Sequence, residues 1–347
     1  MLISVEDAAE AAVTALVVAG VPASAARVQA ELLVDAESRG LPSHGLLRLP
    51  RLVRRLHNGV ADGATTGVHT WRSEAFLDVD GKNGLGPVVA CAALDALSDR
   101  VRRTGVACAA IRSNNHLGAL AWYVRAVAER GQAAIALTTS EAIMHPYGGR
   151  TAMIGSNPLA IGVPATPRPI VLDMATAVVS MGKVHDYANR GADLEPGWAK
   201  DHQGEPTLDA TAAKDGSIAP FGGAKGYGLG LALESLVASL TDSETGTRVA
   251  GTLDSTRPSN KGDLFIVAEV ASARATARVS SYLDEVRAAP RADENVPVSV
   301  PGDRSAERRR RAAVDGIEIA DQVWRDIVAL AAPADPLRWI QGKAPSS

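Results

Sequence analysis

Cysteine is nearly absent. Of 347 residues only Cys91 and Cys108 are thiols, too few for a disulfide framework or a cysteine-based metal site, and both lie in apolar segments that read as interior. Aromatic residues make up 4% of the chain, and none is interleaved with a basic stripe, so the pattern of a nucleic-acid binder is missing. Positive charge is not in excess either: 36 Lys and Arg stand against 39 Asp and Glu, which gives no general attraction for a polyanion. The basic run 308–311 is short and reads as a solvated helix face. The apolar stretch 11–21 falls well short of the roughly 20 residues a membrane span needs, and residues 1–7 lack the basic start of a secretory signal. These absences point to a cytoplasmic protein with no nucleic-acid or membrane partner. The length suits two or three lobes, or one large interwoven domain.

What is there is helical at both ends and alternating in the middle. Ser4, followed by Glu6 and Asp7, opens a helix to about residue 19, where Gly20 and Pro22 stop it. Apolar spacing predicts a second helix over 23–39 and a third from His44 to about residue 58. Alternation over 76–80 predicts a strand, the glycines of 81–86 turn the chain, and a helix follows over 87–103. Strands over 106–111 and 133–138 flank a helix over 117–130. This βα alternation argues for an α/β sheet. Strands are further expected over 159–163, 170–174 and 263–269, and helices over 225–238, 272–288, 306–314 and 318–331. The polar stretch 188–220 reads as a long loop, and a loop of that length in a compact protein usually serves function.

Two glycine clusters require a decision. Gly81-x-x-Gly84-x-Gly86 looks like a dinucleotide fingerprint, yet its spacing is reversed relative to G-x-G-x-x-G, and Asp99 would lie within the next helix rather than at the end of a strand. A plain turn is the better reading. Gly222-Gly223-Ala224-Lys225-Gly226-Tyr227-Gly228 precedes a helix, and its amides could form an anion nest, although it is not a phosphate loop of the G-x-x-x-x-G-K type; taken alone it reads as a flexible turn. Asp173-Met174-Ala175-Thr176 ends a strand and is expected to open a helix, where the carboxylate suits a cap on helix amides or a ribose hydroxyl, the cap being the simpler reading.

The most informative pair is Ser43-His44-Gly45 and Asn114-Asn115-His116-Leu117-Gly118. Each sets a group that exchanges protons near neutral pH beside small residues. Arg48, one turn past His44, adds a guanidinium fork suited to a carboxylate. His116 is expected at the amino end of a helix, whose dipole lowers its pKa. No H-E-x-x-H or comparable cluster points to a metal, and no G-x-S-x-G elbow points to a hydrolase.

Taken with SHGLLRLP at 43–50 and NNHLGAL at 114–120, the stretches GSNPLAIGVP at 155–164, VLDMAT at 171–176, GGAKGYGLGL at 222–231, NKGDLF at 260–265 and PGDR at 301–304 run through almost the whole chain. In this order they resemble the malate/L-lactate dehydrogenase family, which also contains sulfolactate and ureidoglycolate dehydrogenases and cyclic-imine carboxylate reductases. The resemblance implies a mixed-sheet, non-Rossmann NAD(P)-binding fold and a homodimer. It divides the chain into an N-terminal helical part (1–70), a central mixed-sheet part (71–270) and C-terminal helices packing back on the first (271–347). It implies His44 and His116 as acid/base candidates, with His44 preferred, Ser43 to orient its neighbour, and Arg48, Ser156 and Lys183 on the substrate. NAD or NADP would meet His116, Ser140, Asp173, Met174, Ala175, Thr176, Lys225, Gly226, Gly302, Asp303 and Arg304.

Leu52 stands where the family often has tyrosine, and Ala177 and Ala224 also depart from the common pattern. The reaction implied is hydride transfer between nicotinamide and C2 of a small 2-oxo or 2-hydroxy acid, with malate/oxaloacetate and sulfolactate/sulfopyruvate preferred. A second substrate anion would have Lys183, Arg257 or Lys261 as partners. A piperideine-2-carboxylate type of reductase, or a ureidoglycolate type of dehydrogenase, is the alternative.

Overall fold

A computed structural model describes residues 1–332; residues 333–347, the end of the expected C-terminal part, lie outside the described residues. The chain opens with a two-residue strand β1 (Leu2–Ile3) and the helices α1 (Val5–Val18) and α2 (Ala23–Ser38). The Ser4 hydroxyl accepts the Asp7 amide, so the predicted cap is in place. Two 3-10 turns, Pro42–His44 and Leu46–Arg48, then lead into α3 (Leu49–His57). This corrects the single helix expected from His44. Pro50 has no amide to donate and belongs in a first turn, so the α-helix begins at Leu49, and Gly45 separates the two turns before it.

The centre is a seven-stranded mixed sheet in the order β2-β3-β4-β11-β5-β6-β7. Its strands are β2 (Val68–Ser73), β3 (Phe76–Gly84), β4 (Val106–Asn114), β5 (Gln132–Thr138), β6 (Leu159–Val163), β7 (Ile170–Met174) and β11 (Gly262–Glu269). Only β3 and β4 run parallel, joined by the crossover helix α4 (Gly86–Thr104). Every other neighbouring pair is antiparallel. The middle position is taken by β11, whose Leu264 lies opposite Ala110 on one side and Leu137 on the other. Sequence periodicity identified β11 but carried no information about which neighbours it would take. The edge strand β2 was not anticipated, because it is polar and largely exposed.

One face of the sheet packs on α4 and α5 (Leu120–Glu129). Leu97, Val101, Leu120, Val124 and Val127 join Leu77, Val79 and Ile111 there in one buried cluster. The same cluster continues into α1, α2 and the last helix α11 (Asp321–Ala331) through Ala8, Leu16, Leu32, Trp324 and Ile327. Strand β1 pairs with β12 (Ile317–Glu318), which fastens the two ends of the described chain together. Among the described residues the opposite face meets α8 (Ala224–Thr241), through a small cluster of Ala110, Leu137, Val237 and Leu264.

The stretch 188–220 is not a loop. Between α6 (Met181–Arg190) and α8 it forms α7 (Ala210–Ala213) and a three-stranded sheet of β8 (Ala199–Lys200), β9 (Pro206–Thr207) and β10 (Ser217–Ile218). Met144, Ile154, Val184, Leu194, Ala199, Ala213 and Ile218 give this lobe its own core. Two-residue strands present no period, and their apolar side chains stand singly among Gly, Asp and Lys, which hid the lobe from sequence reading. The helices α9 (Ala273–Arg287) and α10 (Asp303–Asp315) complete the chain.

Candidate active site

Strand β4 ends at Asn114, and the two asparagines that follow one another there anchor the next residue. Asn114 Nδ2 donates to Asp263 on β11 at 3.0 Å, while Asn115 Nδ2 donates to the carbonyls of Asn83 (2.6 Å) and Gly84 (2.9 Å). His116 is thereby held from both sides of its strand. A Cβ on Gly86 would lie 2.2 Å from the His116 carbonyl oxygen. The glycines that imitate a dinucleotide fingerprint therefore serve close packing of the histidine segment.

The Gly118 amide donates to His116 Nδ1 at 3.0 Å. That nitrogen is an acceptor, so the neutral ring carries its proton on Nε2. Burial holds His116 well below the ordinary histidine range, with Arg48, His44, Lys261 and Arg51 adding to the effect. The expected direction is right, but the helix dipole is not the cause, since α5 begins only at Leu120. His44 stacks on His116, with ring centroids 5.6 Å apart and planes 10° from parallel. Burial, with Arg48 beside it, pushes His44 down to about 4. Its Nδ1 is buried without a hydrogen-bond partner, so Ser43 does not orient the ring through that atom. Ser43 acts on the arginine instead: its carbonyl accepts Arg48 Nε at 2.6 Å.

Arg48, Arg51, Leu52 and Arg55 share one cavity with Leu32, Leu33, Asn115 and His116. Arg55 is buried and fully engaged, donating to Asn115 Oδ1 and to the carbonyls of Val60, Asp254 and Arg257. Arg48 and Arg51 have no acidic partner among the described residues, and burial together with Arg51 pushes Arg48 down to about 10. Arg51 escaped the sequence reading. The signal was present, since positions 48, 51 and 55 fall at the i, i+3, i+7 spacing of one helix face.

The three residues proposed for a second substrate anion are engaged elsewhere. Lys183 Nζ lies 4.7 Å from the Trp198 ring centroid and 5.6 Å from that of Tyr187. Arg257 pairs with Asp254. Lys261, 2% exposed in its side chain, pairs with the fully buried Asp263, which also accepts Thr138 Oγ1 at 2.5 Å. Lys261 still borders the site, because its charge contributes to the depression of His116.

Several of the residues expected at the dinucleotide gather around Thr176, whose carbonyl accepts the Phe221 amide just before α8. Thr176 donates through its amide (2.8 Å) and its hydroxyl (2.9 Å) to the Ser156 carbonyl, and the Ser156 amide donates to Ser140 Oγ at 3.0 Å. Gly230 of α8 approaches so closely that a Cβ there would lie 2.7 Å from Thr176 Oγ1. The amino end of α8 carries exposed Lys225, has no side-chain cap at Gly223, and has open space around Gly222. The amides of Lys225, Gly226 and Tyr227 already donate to the carbonyls of Gly222, Phe221 and Gly223, so what this end offers an anion is the exposed Lys225 and the positive pole of the helix.

Asp173 accepts the Ala121 amide at 2.8 Å and so caps α5, and burial pushes it up to about 6. Residues 175–180 separate it from α6, so it does not open a helix of its own. The turn at Gly302 packs on β7, where the Val171 amide donates to the Pro301 carbonyl. Asp303 is committed to Arg168 and Arg287, which hold its carboxyl well below the usual range. Arg304 is exposed.

Two stacked imidazoles, of which His116 shares one cavity with a guanidinium without an acidic partner among the described residues, sit on a mixed sheet without the Rossmann order. The malate/L-lactate dehydrogenase family model matches residues 3–328, and the chain belongs to that family. It is 33% identical over 312 residues to the L-sulfolactate dehydrogenase of Methanocaldococcus jannaschii, covering 89% of this chain and 90% of that protein. It is 38% identical over 227 residues to the Delta(1)-pyrroline-2-carboxylate/Delta(1)-piperideine-2-carboxylate reductase of Pseudomonas syringae pv. tomato, covering 65% and 66%. A solved dehydrogenase of Sinorhizobium meliloti superimposes with a TM-score of 0.93 at 49% identity, over 96% of this chain and 98% of that one.

Proposed function

We propose that this chain transfers a hydride between NAD or NADP and C2 of a small 2-oxo or 2-hydroxy acid that carries a second anionic group, as malate and sulfolactate do. The observation that carries the reading is the pair of guanidiniums, Arg48 and Arg51, in the His116 cavity without a carboxylate partner among the described residues. One cation suffices for a lactate; two in one small cavity match a dianion.

Nicotinamide, when bound, supplies or takes up the hydride. Arg48 grips the 2-carboxylate, and Arg51 faces the second anion. His116, fixed as the Nε2–H tautomer by Gly118, donates a hydrogen bond to the C2 oxygen. His44 exchanges the proton. In the free site it is the neutral base that alcohol oxidation requires, and a bound dianion restores its affinity for a proton in the reductive direction. Ser140, Ser156, Asp173 to Thr176, Lys225, Gly226 and the Gly302 to Arg304 turn hold the dinucleotide.

The deciding experiment is oxidation of NADH and of NADPH by the purified protein with oxaloacetate, sulfopyruvate, pyruvate and piperideine-2-carboxylate. Preference for the dianions over pyruvate by at least tenfold in kcat/KM supports the reading, and equal use of pyruvate overturns it. One observation favours a second reading: Leu32, Leu33 and Leu52 give the cavity an apolar wall that suits a cyclic imine. Turnover of the imine alone moves the chain to the reductase branch.

A homodimer is part of the same proposal. The sheet face under α8 leaves Phe76, Cys108, Ile135 and Ile266 only partly covered, and α8 exposes Leu229 and Leu236 beside them. A second copy would bury both sets. Cytoplasmic residence is proposed with it. Cys91 and Cys108 are unpaired, and burial pushes their thiols up to about 12 and about 11, as suits inert interior thiols in a reducing compartment.

A further inference from the structure

We infer that Glu37 is a positioning residue: from α2 it caps the turn that carries His44 and Arg48, and Gly45 is glycine to admit its carboxylate. The inference rests on reading His44 and Arg48 as working parts of the site.

The 3-10 turn Leu46–Arg48 begins with an amide that its own turn cannot satisfy. The residue that would ordinarily cap it is Gly45, which has no side chain, and no local cap exists. The Leu46 amide donates instead to Glu37 Oε2 at 2.8 Å, nine residues back in sequence. A Cβ on Gly45 would lie 2.1 Å from that same oxygen and 3.0 Å from Glu37 Cδ. Real Cβ atoms never approach so closely, so any larger residue at 45 displaces the carboxylate.

The bracket sits between the two groups that matter. His44 precedes Gly45, and Arg48 closes the turn, its own amide donating to the Gly45 carbonyl at 3.0 Å. His44 Nδ1 has no hydrogen-bond partner among the described residues, so no bond at that atom fixes the ring, and its stack on His116 relies on where the turn places the backbone. Arg48 is tied back to Ser43 within the same turn. The helix that supplies Glu37 also supplies Leu32 and Leu33 to the cavity wall. One element thus sets both the wall and the reach of the working side chains. Burial pushes the Glu37 carboxyl up, and the Leu46 amide opposes that shift.

The test is a double-mutant cycle on the full-length protein with Glu37→Ala, Gly45→Ala and both together, plus Glu37→Gln. Each is read by kcat and KM for the best substrate of the panel, by dinucleotide Kd, and by the imidazole NMR signals of His44. Glu37→Ala is expected to lower kcat/KM by about 10- to 100-fold, to raise KM, to shift the His44 signals and to leave dinucleotide Kd unchanged. Glu37→Gln keeps an acceptor oxygen and should stay within about threefold of wild type. Gly45→Ala should resemble Glu37→Ala, and the double variant should be no worse than either, because the clash disappears with the carboxylate.

A Glu37→Ala variant within twofold of wild type with unmoved His44 signals overturns the inference. Effects of Glu37→Ala and Gly45→Ala that multiply in the double variant overturn it equally. Should Glu37→Ala not fold, Glu37→Ser takes its place in the cycle. The NMR arm needs no substrate. If the wild type turns over no oxo acid, the functional reading fails while the bracket is still tested.

Discussion

The imidazoles of His44 and His116 lie stacked, 5.6 Å between centroids and 10° from parallel, although 71 residues separate them in the chain. Two imidazolium rings could not sit so close to each other and to Arg48. Burial in addition lowers the proton affinity of each ring, and in the proposed function the two rings divide the work. His44→Ala should lower kcat by about 10²- to 10⁴-fold, the usual worth of a general acid/base, with dinucleotide Kd unchanged. His116→Gln, which keeps a donor, should cost less than His116→Ala. Steady-state kinetics on the three variants decide this assignment, and equal losses in the two His116 variants would sink the donor role.

The two arginines predict separable effects. Arg48→Ala should raise KM for every oxo acid at least tenfold, with incomplete rescue by Arg48→Lys, since an ammonium lacks the planar fork. Arg51→Ala should raise KM for dianions while leaving pyruvate nearly untouched. If Arg51→Ala weakens both classes alike, Arg51 does not read the second anion.

Acid pH should show the depressed histidine. Burial and Arg48 push His44 in the folded protein down to about 4, below the unfolded value near 6.5. The unfolded chain therefore takes up the proton first, and His44 opposes folding as pH falls from about 6.5 towards 4; above that window it contributes nothing. The free enzyme's kcat/KM for hydroxy-acid oxidation should accordingly show no limb near 6.5 due to His44. NMR titration of the apo protein checks this directly, and a His44 pKa above 6 refutes it.

Asp173 carries the opposite sign for a carboxylate. Burial pushes it up to about 6, so the native state holds its proton more tightly than the unfolded chain does. Stability from this group is present below about 3.8 and is lost as pH rises towards 6. Asp173→Asn keeps an acceptor for the Ala121 amide and removes the charge. It should raise Tm at pH 7.5 by a few degrees and change it little at pH 4, while weakening dinucleotide binding if the carboxylate holds a ribose hydroxyl. Calorimetry at the two pH values, with a dinucleotide titration, reads both.

Lys261 and Asp263 form a buried ion pair behind the histidines. Removing one partner strands a charge, so Lys261→Met and Asp263→Leu should each cost about 3–5 kcal/mol. The double variant should cost less than the sum of the two. Urea denaturation of the three variants measures the coupling, and simple additivity would show the pair to be independent.

Much of this protein was written locally. Ser4 beside acidic residues marks α1, alternation marks β3, and apolar spacing places α2, α5 and α9 within a residue or a few of their ends, because caps and periods act over a single turn or pleat. Two of the seven short motifs, at 43–50 and 114–120, carry Arg48, Asn115, His116 and Gly118 of the cavity wall. Sequence could not say that β11 would part β4 from β5, nor that 188–220 would fold around Val184 and Ile218, because strand partners and small cores are chosen by contacts across the whole chain. Only tertiary structure decided that His116 owes its low proton affinity to burial and to Arg48 rather than to a helix end. It also transferred Ser43 from the histidine to the arginine, left Arg51 in the cavity without an acidic partner among the described residues and placed Glu37 under Gly45. Desolvation and charge depend on what lies within a few ångströms in space, and these neighbours come from distant parts of the chain.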